Sequence, residues 1–197
     1  MAGDSRTKMV RSAASLIASR GVSATSFADV VSDSGAPRGS IYHHFPDGKR
    51  QLAEDAIRWT SERVLSHQRA FPGGTPAEVL RRFIDMWRAV VKASAGAAGC
   101  VVAGVAVDTT PEDDELLEIV RSTFRSWVAL LAEQLEAAGI PARRAGPIAM
   151  ATLAGMEGAL ILCRAEGNGK PLDAVAEELM RLVPPGPTSA SPKRRRR

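Results

Sequence analysis

Along this chain of 197 residues, apolar side chains recur at intervals of three and four, and nearly every such run is closed by glycine or proline. That pairing of a helical period with helix breakers constrains the fold more than any other property of the sequence. The first run, residues 5–20, places Met9, Ala13, Leu16 and Ile17 on one face and has Gly21 in the C′ position. Ser26-x-x-Asp29 then forms a capping box with Asp in place of the usual Glu, and opens a helix that closes at Ser34-Gly35. A short helix is expected over residues 37–44, with Pro37 in its first turn, and a longer one over residues 49–69 after the turn Phe45-Pro46-Asp47-Gly48. Thr75-Pro76-Ala77-Glu78 combines an N-cap, a proline at N1 and a glutamate at N3. Further helices are expected at residues 95–107, from Thr110-Pro111-Glu112-Asp113 onward, at residues 145–166 and at residues 171–182. β-branched runs are scarce, and neither a hairpin signal nor an internal repeat occurs. The expected fold class is all-α, with about nine helices.

Composition agrees. Hydrophobic residues make up 45% and charged residues 24%, enough for a packed core. Cys100 and Cys163 form no CxxC or CxxH element, so neither a disulfide framework nor a zinc site is expected. The sequence has no Gly-rich phosphate loop, HExxH, GxSxG or Cys/His pairing, and the three histidines are His43, His44 and His67. No catalytic constellation, metal or cofactor follows from these residues. The start MAGDSRTKMV has no apolar core segment, so the chain is expected to be cytoplasmic. Residues 145–163 are nearly all apolar, but Glu157 stands in mid-span, which favours a buried or interface helix over a membrane span.

Charge is unevenly placed. Residues 1–50 hold seven Lys/Arg against four Asp/Glu, and Lys193 to Arg197 are all basic, whereas residues 51–192 hold 14 basic and 18 acidic groups. A basic head on an acidic body predicts that only the head meets a polyanion. Within the head, residues 26–45 read as two helices joined by a tight turn at Gly35-Ala36, the helix-turn-helix outline. In the second helix Ile41 and Phe45 are apolar anchors, while Arg38, Ser40, Tyr42, His43 and His44 carry hydrogen-bonding groups and Gly39 permits close approach. A helix of that kind fits the major groove.

Residues 10–57 resemble the DNA-binding domain of the tetracycline-repressor (TetR) family. The segment Ala36-Pro37-Arg38-Gly39-Ser40-Ile41-Tyr42-His43-His44-Phe45 matches that family's recognition helix. Gly21 with Thr25-Ser26 matches its first linker, and Lys49-x-x-Leu52 the start of its fourth helix. The extended form HHFPDGKRQL is similar to a subgroup of multidrug- and flavonoid-responsive repressors, the LmrA/YxaF-like type. The resemblance implies a three-helix DNA-binding domain at residues 1–48, an effector-binding and dimerisation domain at 49–183, and a flexible basic tail at 184–197. It implies phosphate contacts from Thr25, Ser26, Tyr42, His44 and Lys49, base reading by Arg38, and base or phosphate contacts from Ser40 and His43, with Pro37 and Gly39 shaping the helix start.

The resemblance further implies a homodimer on double-stranded operator DNA, released by a small-molecule effector through a population shift. Small-residue spacing at Ala151, Ala154, Gly155, Gly158 and Ala159 points independently to close helix approach in a dimer interface, to which Leu172, Val175 and Leu179 of the last helix are also expected to contribute. Trp59, Arg63 and His67 share a helix face. Together with Phe83, Met86, Trp87, Phe124, Trp127, Met150, Leu153, Met156 and Glu157 they suit a largely apolar pocket, or equally a plain core. A non-DNA helical adaptor and a thiol-based redox sensor are the alternatives, the latter opposed by the apolar surroundings of both cysteines.

Overall fold

The computed structural model describes residues 2–110 and 113–184. These form nine helices and no strand: α1 (Ala2–Arg20), α2 (Phe27–Ser34), α3 (Ser40–His44), α4 (Gly48–Arg69), α5 (Pro76–Ala93), α6 (Val101–Asp108), α7 (Asp114–Ala137), α8 (Ala142–Glu166) and α9 (Lys170–Met180). The end signals act where the sequence places them. Ser26 and Thr75 each close a complete capping box, with Asp29 and Glu78 as their reciprocal partners. Gly35 ends α2 in the left-handed region at φ 66°, which a side-chain-bearing residue adopts only under strain.

α1 and α8 each begin three residues earlier than expected, and three further boundaries differ for a structural reason. Pro37 does not open α3; its carbonyl accepts from Ser40 N–H at 3.0 Å in a turn, and the helix proper begins at Ser40. α6 starts at Val101, because Ala95 and Gly96 both take positive φ and turn the chain first. α7 starts at Asp114, capped by Asp113, whose carboxylate accepts from Leu116 N–H at 3.2 Å, so the cap lies three residues past Thr110. Of the basic tail, residues 185–197 lie outside the described residues.

α2 and α3 pack on α1, and α1 in turn packs along α4 and α6. Behind them α7 lies between α4 and α8, with α5 and α9 closing the bundle. One contiguous core runs through head and body, from Met9, Ile17, Ile41 and Phe45 to Leu80, Trp127, Leu135 and Leu160. The contact between α1 and α6 is made by backbone. Gly99 N–H donates to the Ala18 carbonyl at 3.0 Å, and a Cβ at Gly104 would stand 3.0 Å from the Ile17 carbonyl oxygen. At the far end of α6, Asp108 accepts from Ser23 N–H at 3.0 Å, tying the body to the loop that leads into α2.

α8 is long and apolar enough to cross a membrane by composition. One side of it, with Ile148, Leu153, Met156 and Leu160, belongs to the core. On the opposite side Pro147, Met150, Ala151, Ala154, Ile161, Leu162 and Ala165 are exposed, and Gly158 stands among them with open space where a side chain would project. At 100° per residue these eight positions form a single stripe.

Candidate nucleic-acid interface and effector cavity

α3 is held by two side chains. Ile41 and Phe45 are each 1% exposed, and Phe27 of α2 packs edge-on against Tyr42 at 5.5 Å between ring centroids and near Phe45 at 6.5 Å. What remains of the helix faces outward. Arg38 is exposed and makes no ion pair among the described residues; Tyr42 is 69% exposed, and His43 is also exposed. His44 is half-buried, its ring edge-on to those of His43 and Phe45. Among the described residues no cluster of three or more His, Cys, Asp or Glu could hold a metal ion. The result is a short rod with a phenol and an imidazole on its outer surface, anchored from beneath, with the Arg38 guanidinium on the turn that leads into it.

Lys49 stands beside this rod at the start of α4, its Nζ donating to the Ser23 carbonyl at 3.3 Å. The ammonium therefore lies where the α1–α2 loop meets α4, exposed and close to the helix-turn-helix surface. Ser40 donates its hydroxyl proton to the Pro37 carbonyl at 2.7 Å, leaving its oxygen as an acceptor only.

Two hydroxyls expected at phosphate are engaged within the fold. The Thr25 hydroxyl is buried and donates to the Gly21 carbonyl at 2.7 Å, so it closes the end of α1 instead of facing outward. The Ser26 hydroxyl donates to the Asp29 carboxylate at 2.6 Å and accepts from Asp29 N–H at 3.1 Å. Asp29, held below the usual carboxylate range by its bonds to Ser26, also pairs with Arg20 of α1 at 2.9 Å. The motif carried these hydroxyls, but their engagement within the fold could not be read from it.

Five of the expected pocket residues do meet. Trp59, Arg63 and His67 of α4, with Met86 and Trp87 of α5, line a cavity of about 450 Å³. Burial is the main reason that His67 titrates below the ordinary histidine value, with the Arg82 charge as a second cause. The other expected residues go elsewhere. Phe83, Trp127, Leu153 and Met156 are buried in the core, and Phe124 is edge-on to Trp127 at 5.8 Å between centroids. Met150 is 56% exposed on the outer stripe of α8. Glu157 lines a neighbouring cavity of about 370 Å³ between α1, α6 and α8, where burial pushes its carboxyl up to about 7. Cys100 borders both cavities.

The sequence reading missed Arg11, Ser15 and Thr60, which complete the first cavity from α1 and α4. No local signal marks a helix of the head as a wall of this cavity; only its docking along α4 does. The expected interface set also divides. Ala151, Ala154 and Gly158 lie on the outer stripe, whereas Ala159, Leu172 and Leu179 are buried, and Gly155 faces Val175 and Leu179 within the same chain. Ile161 and Leu162 join the stripe instead, at a spacing visible in the sequence.

Comparison with known proteins agrees with this arrangement. Residues 10–56 match the model of bacterial regulatory proteins of the tetR family, and residues 76–178 match that of the C-terminal domain of LmrA/YxaF-like transcriptional regulators. The chain is 37% identical to the HTH-type transcriptional regulator Rv0196 of Mycobacterium tuberculosis over 90% of its own length and 93% of the relative's. It is 31% identical to the HTH-type transcriptional regulator YxaF of Bacillus subtilis, over 92% and 96% respectively. A TetR transcriptional regulator from Legionella pneumophila shares the fold with a TM-score of 0.78 at 22% identity, covering 90% of this chain and 96% of that one. The chain belongs to the TetR family of DNA-binding transcriptional regulators, with a C-terminal domain of the LmrA/YxaF-like kind.

Proposed function

We propose that the protein is a homodimeric repressor that binds a pseudo-palindromic operator and leaves it when a small effector occupies the α1–α4–α5 cavity. The observation that carries the DNA-binding half is the exposed polar face of α3, fixed from below by Ile41 and Phe45. Arg38 reads base edges, its fork matching guanine O6 and N7. Tyr42, His43, His44, Ser40 and Lys49 contact phosphates or neighbouring base edges, and the turn from Pro37 to Gly39 brings the start of α3 to the groove floor.

The outer stripe of α8 supports the dimer. A continuous apolar face that includes Met150, Ile161 and Leu162 is the kind of surface a second copy covers. Pairing through it presents two α3 helices to half-sites about 34–36 Å apart. Release follows from the position of the cavity. Its walls come from α1 of the head and from α4 and α5 of the body, so an occupant that favours one packing of α1 on α4 changes the spacing of the recognition helices. The buried Cys100 thiol, pushed well up by burial and by Glu157, does not favour a thiol-based sensor. On this reading the head ends near residue 48 and the body runs to residue 183.

Fluorescence anisotropy tests the proposal, using DNA from upstream of the protein's own gene against a shuffled control at two salt concentrations. Tight, sequence-dependent binding with two subunits per site is expected, falling steeply with salt. Equal, weak binding to a genome-wide fragment pool and to the control would refute it.

A further inference from the structure

The α1–α4–α5 cavity has a marked polarity. Its floor is apolar: Ala14, Val64, Trp87 and Val101 are all buried. Its rim is basic. Arg11 comes from α1 and Arg63 from α4; both are exposed, and neither makes an ion pair among the described residues. Arg63 lies over the Trp59 ring at 4.8 Å from its centroid. A guanidinium held over an indole face still has N–H groups to pair with a carboxylate. From the floor, the Trp87 indole N–H is buried without a hydrogen-bond acceptor. Among the described residues no Asp or Glu lines the cavity. Glu157 lies beyond Cys100 in the neighbouring cavity, and Asp33 shares only a separate shallow site with Arg11.

Resting on the effector-responsive reading above, we propose that the effector is an amphipathic organic anion, a carboxylate on an aromatic or aliphatic body, with its charge held at the rim between Arg11 and Arg63. Its apolar part lies along Trp59, Met86 and Trp87, and an acceptor on that body takes the free indole N–H. An anion there joins a charge on the head to a charge on the body, which makes the packing of α1 on α4 depend on occupancy. A cation or a neutral polyol gains nothing from such a rim.

The test is calorimetric titration of the full-length protein with 2-naphthoate and decanoate, each compared with its neutral amide and its primary ammonium counterpart. At least one acid is expected to bind ten-fold or more tightly than its amide, with no binding of the ammonium compounds. Arg63→Gln removes that preference, bringing acid affinity down to that of the amide while amide affinity is unchanged. Trp87→Phe keeps the apolar floor and weakens acid and amide alike. Circular dichroism checks that both variants retain wild-type helicity. Equal affinity for acid and amide, tighter binding of the ammonium compounds, an acid preference that survives Arg63→Gln, or no binding of any compound would each overturn the proposal. Operator titration of Arg63→Gln without compound separates the two readings. A variant that binds operator normally but has lost acid preference supports both, whereas acid selectivity in a protein that binds no operator leaves the anion site standing and removes the regulatory reading.

Discussion

Glu157 couples the protein's stability to pH. Its carboxyl titrates at about 7 in the fold against 4.5 when free, because burial penalises the charged form more than the Cys100 thiol favours it. Between those values the folded chain keeps a proton that the unfolded chain has released. Stability from this group is therefore fully present below the unfolded value and is lost as pH rises through about 7. The loss amounts to roughly 3 kcal/mol. Glu157→Gln should remove it, so unfolding midpoints at pH 5 and pH 8 should lie closer together in the variant than in the wild type. An unchanged gap would show that the carboxylate is already solvated. At the DNA surface, Arg38→Ala should relax preference at one base pair at a cost of about 1–3 kcal/mol. Lys49→Ala should instead weaken all sequences and flatten the salt dependence. Competition titrations with single-base operator variants distinguish the two.

Among the elements, α6 is the link between body and head. The turn that leads into it approaches α1 so closely that glycine is needed there: a Cβ at Gly99 would stand 2.7 Å from the Ala18 carbonyl oxygen, backbone that no rotamer change can move. Gly99→Ala should therefore push α6 off α1 and destabilise the protein by about 1–3 kcal/mol, as overpacking does elsewhere. Operator affinity should fall with it, read by anisotropy at a temperature where circular dichroism still reports a folded chain. A fully stable Gly99→Ala protein would mean that the seam yields without strain. α2 illustrates the opposite case, an element whose start is set locally. Ser26 and Asp29 satisfy each other's backbone and side chain within four residues, and the helix begins where they dictate.

For the whole molecule, the decisive surface is the outer stripe of α8. Ile161 is 67% exposed within it, and a charge there cannot be desolvated between two copies without a large penalty. Ile161→Asp should give a folded monomer by analytical ultracentrifugation, with operator binding reduced to the weak affinity of one head. A dimer that persists would move the interface to another face.

Helix number, class and most boundaries were legible in the sequence because caps and breakers act over three or four residues, as at Ser26, Thr75 and Gly35. The recognition helix was legible for the same reason, its two anchors being four residues apart. Boundaries slipped where a longer-range choice intervened: Pro37 falls in a turn, and Asp113 rather than Thr110 caps α7. Hydrophobicity marked the pocket candidates but could not sort core from cavity from interface. Phe83 and Trp87 lie one helical turn apart on one face, yet only Trp87 lines the cavity; Met150 and Met156 share a helix, yet one is exposed and the other is buried. That sorting depends on which helix lies opposite each face. The docking of α1 against α4 and α6, between residues far apart in the chain, brings Arg11 to Arg63 and Cys100 to Glu157, and only the tertiary structure decides it.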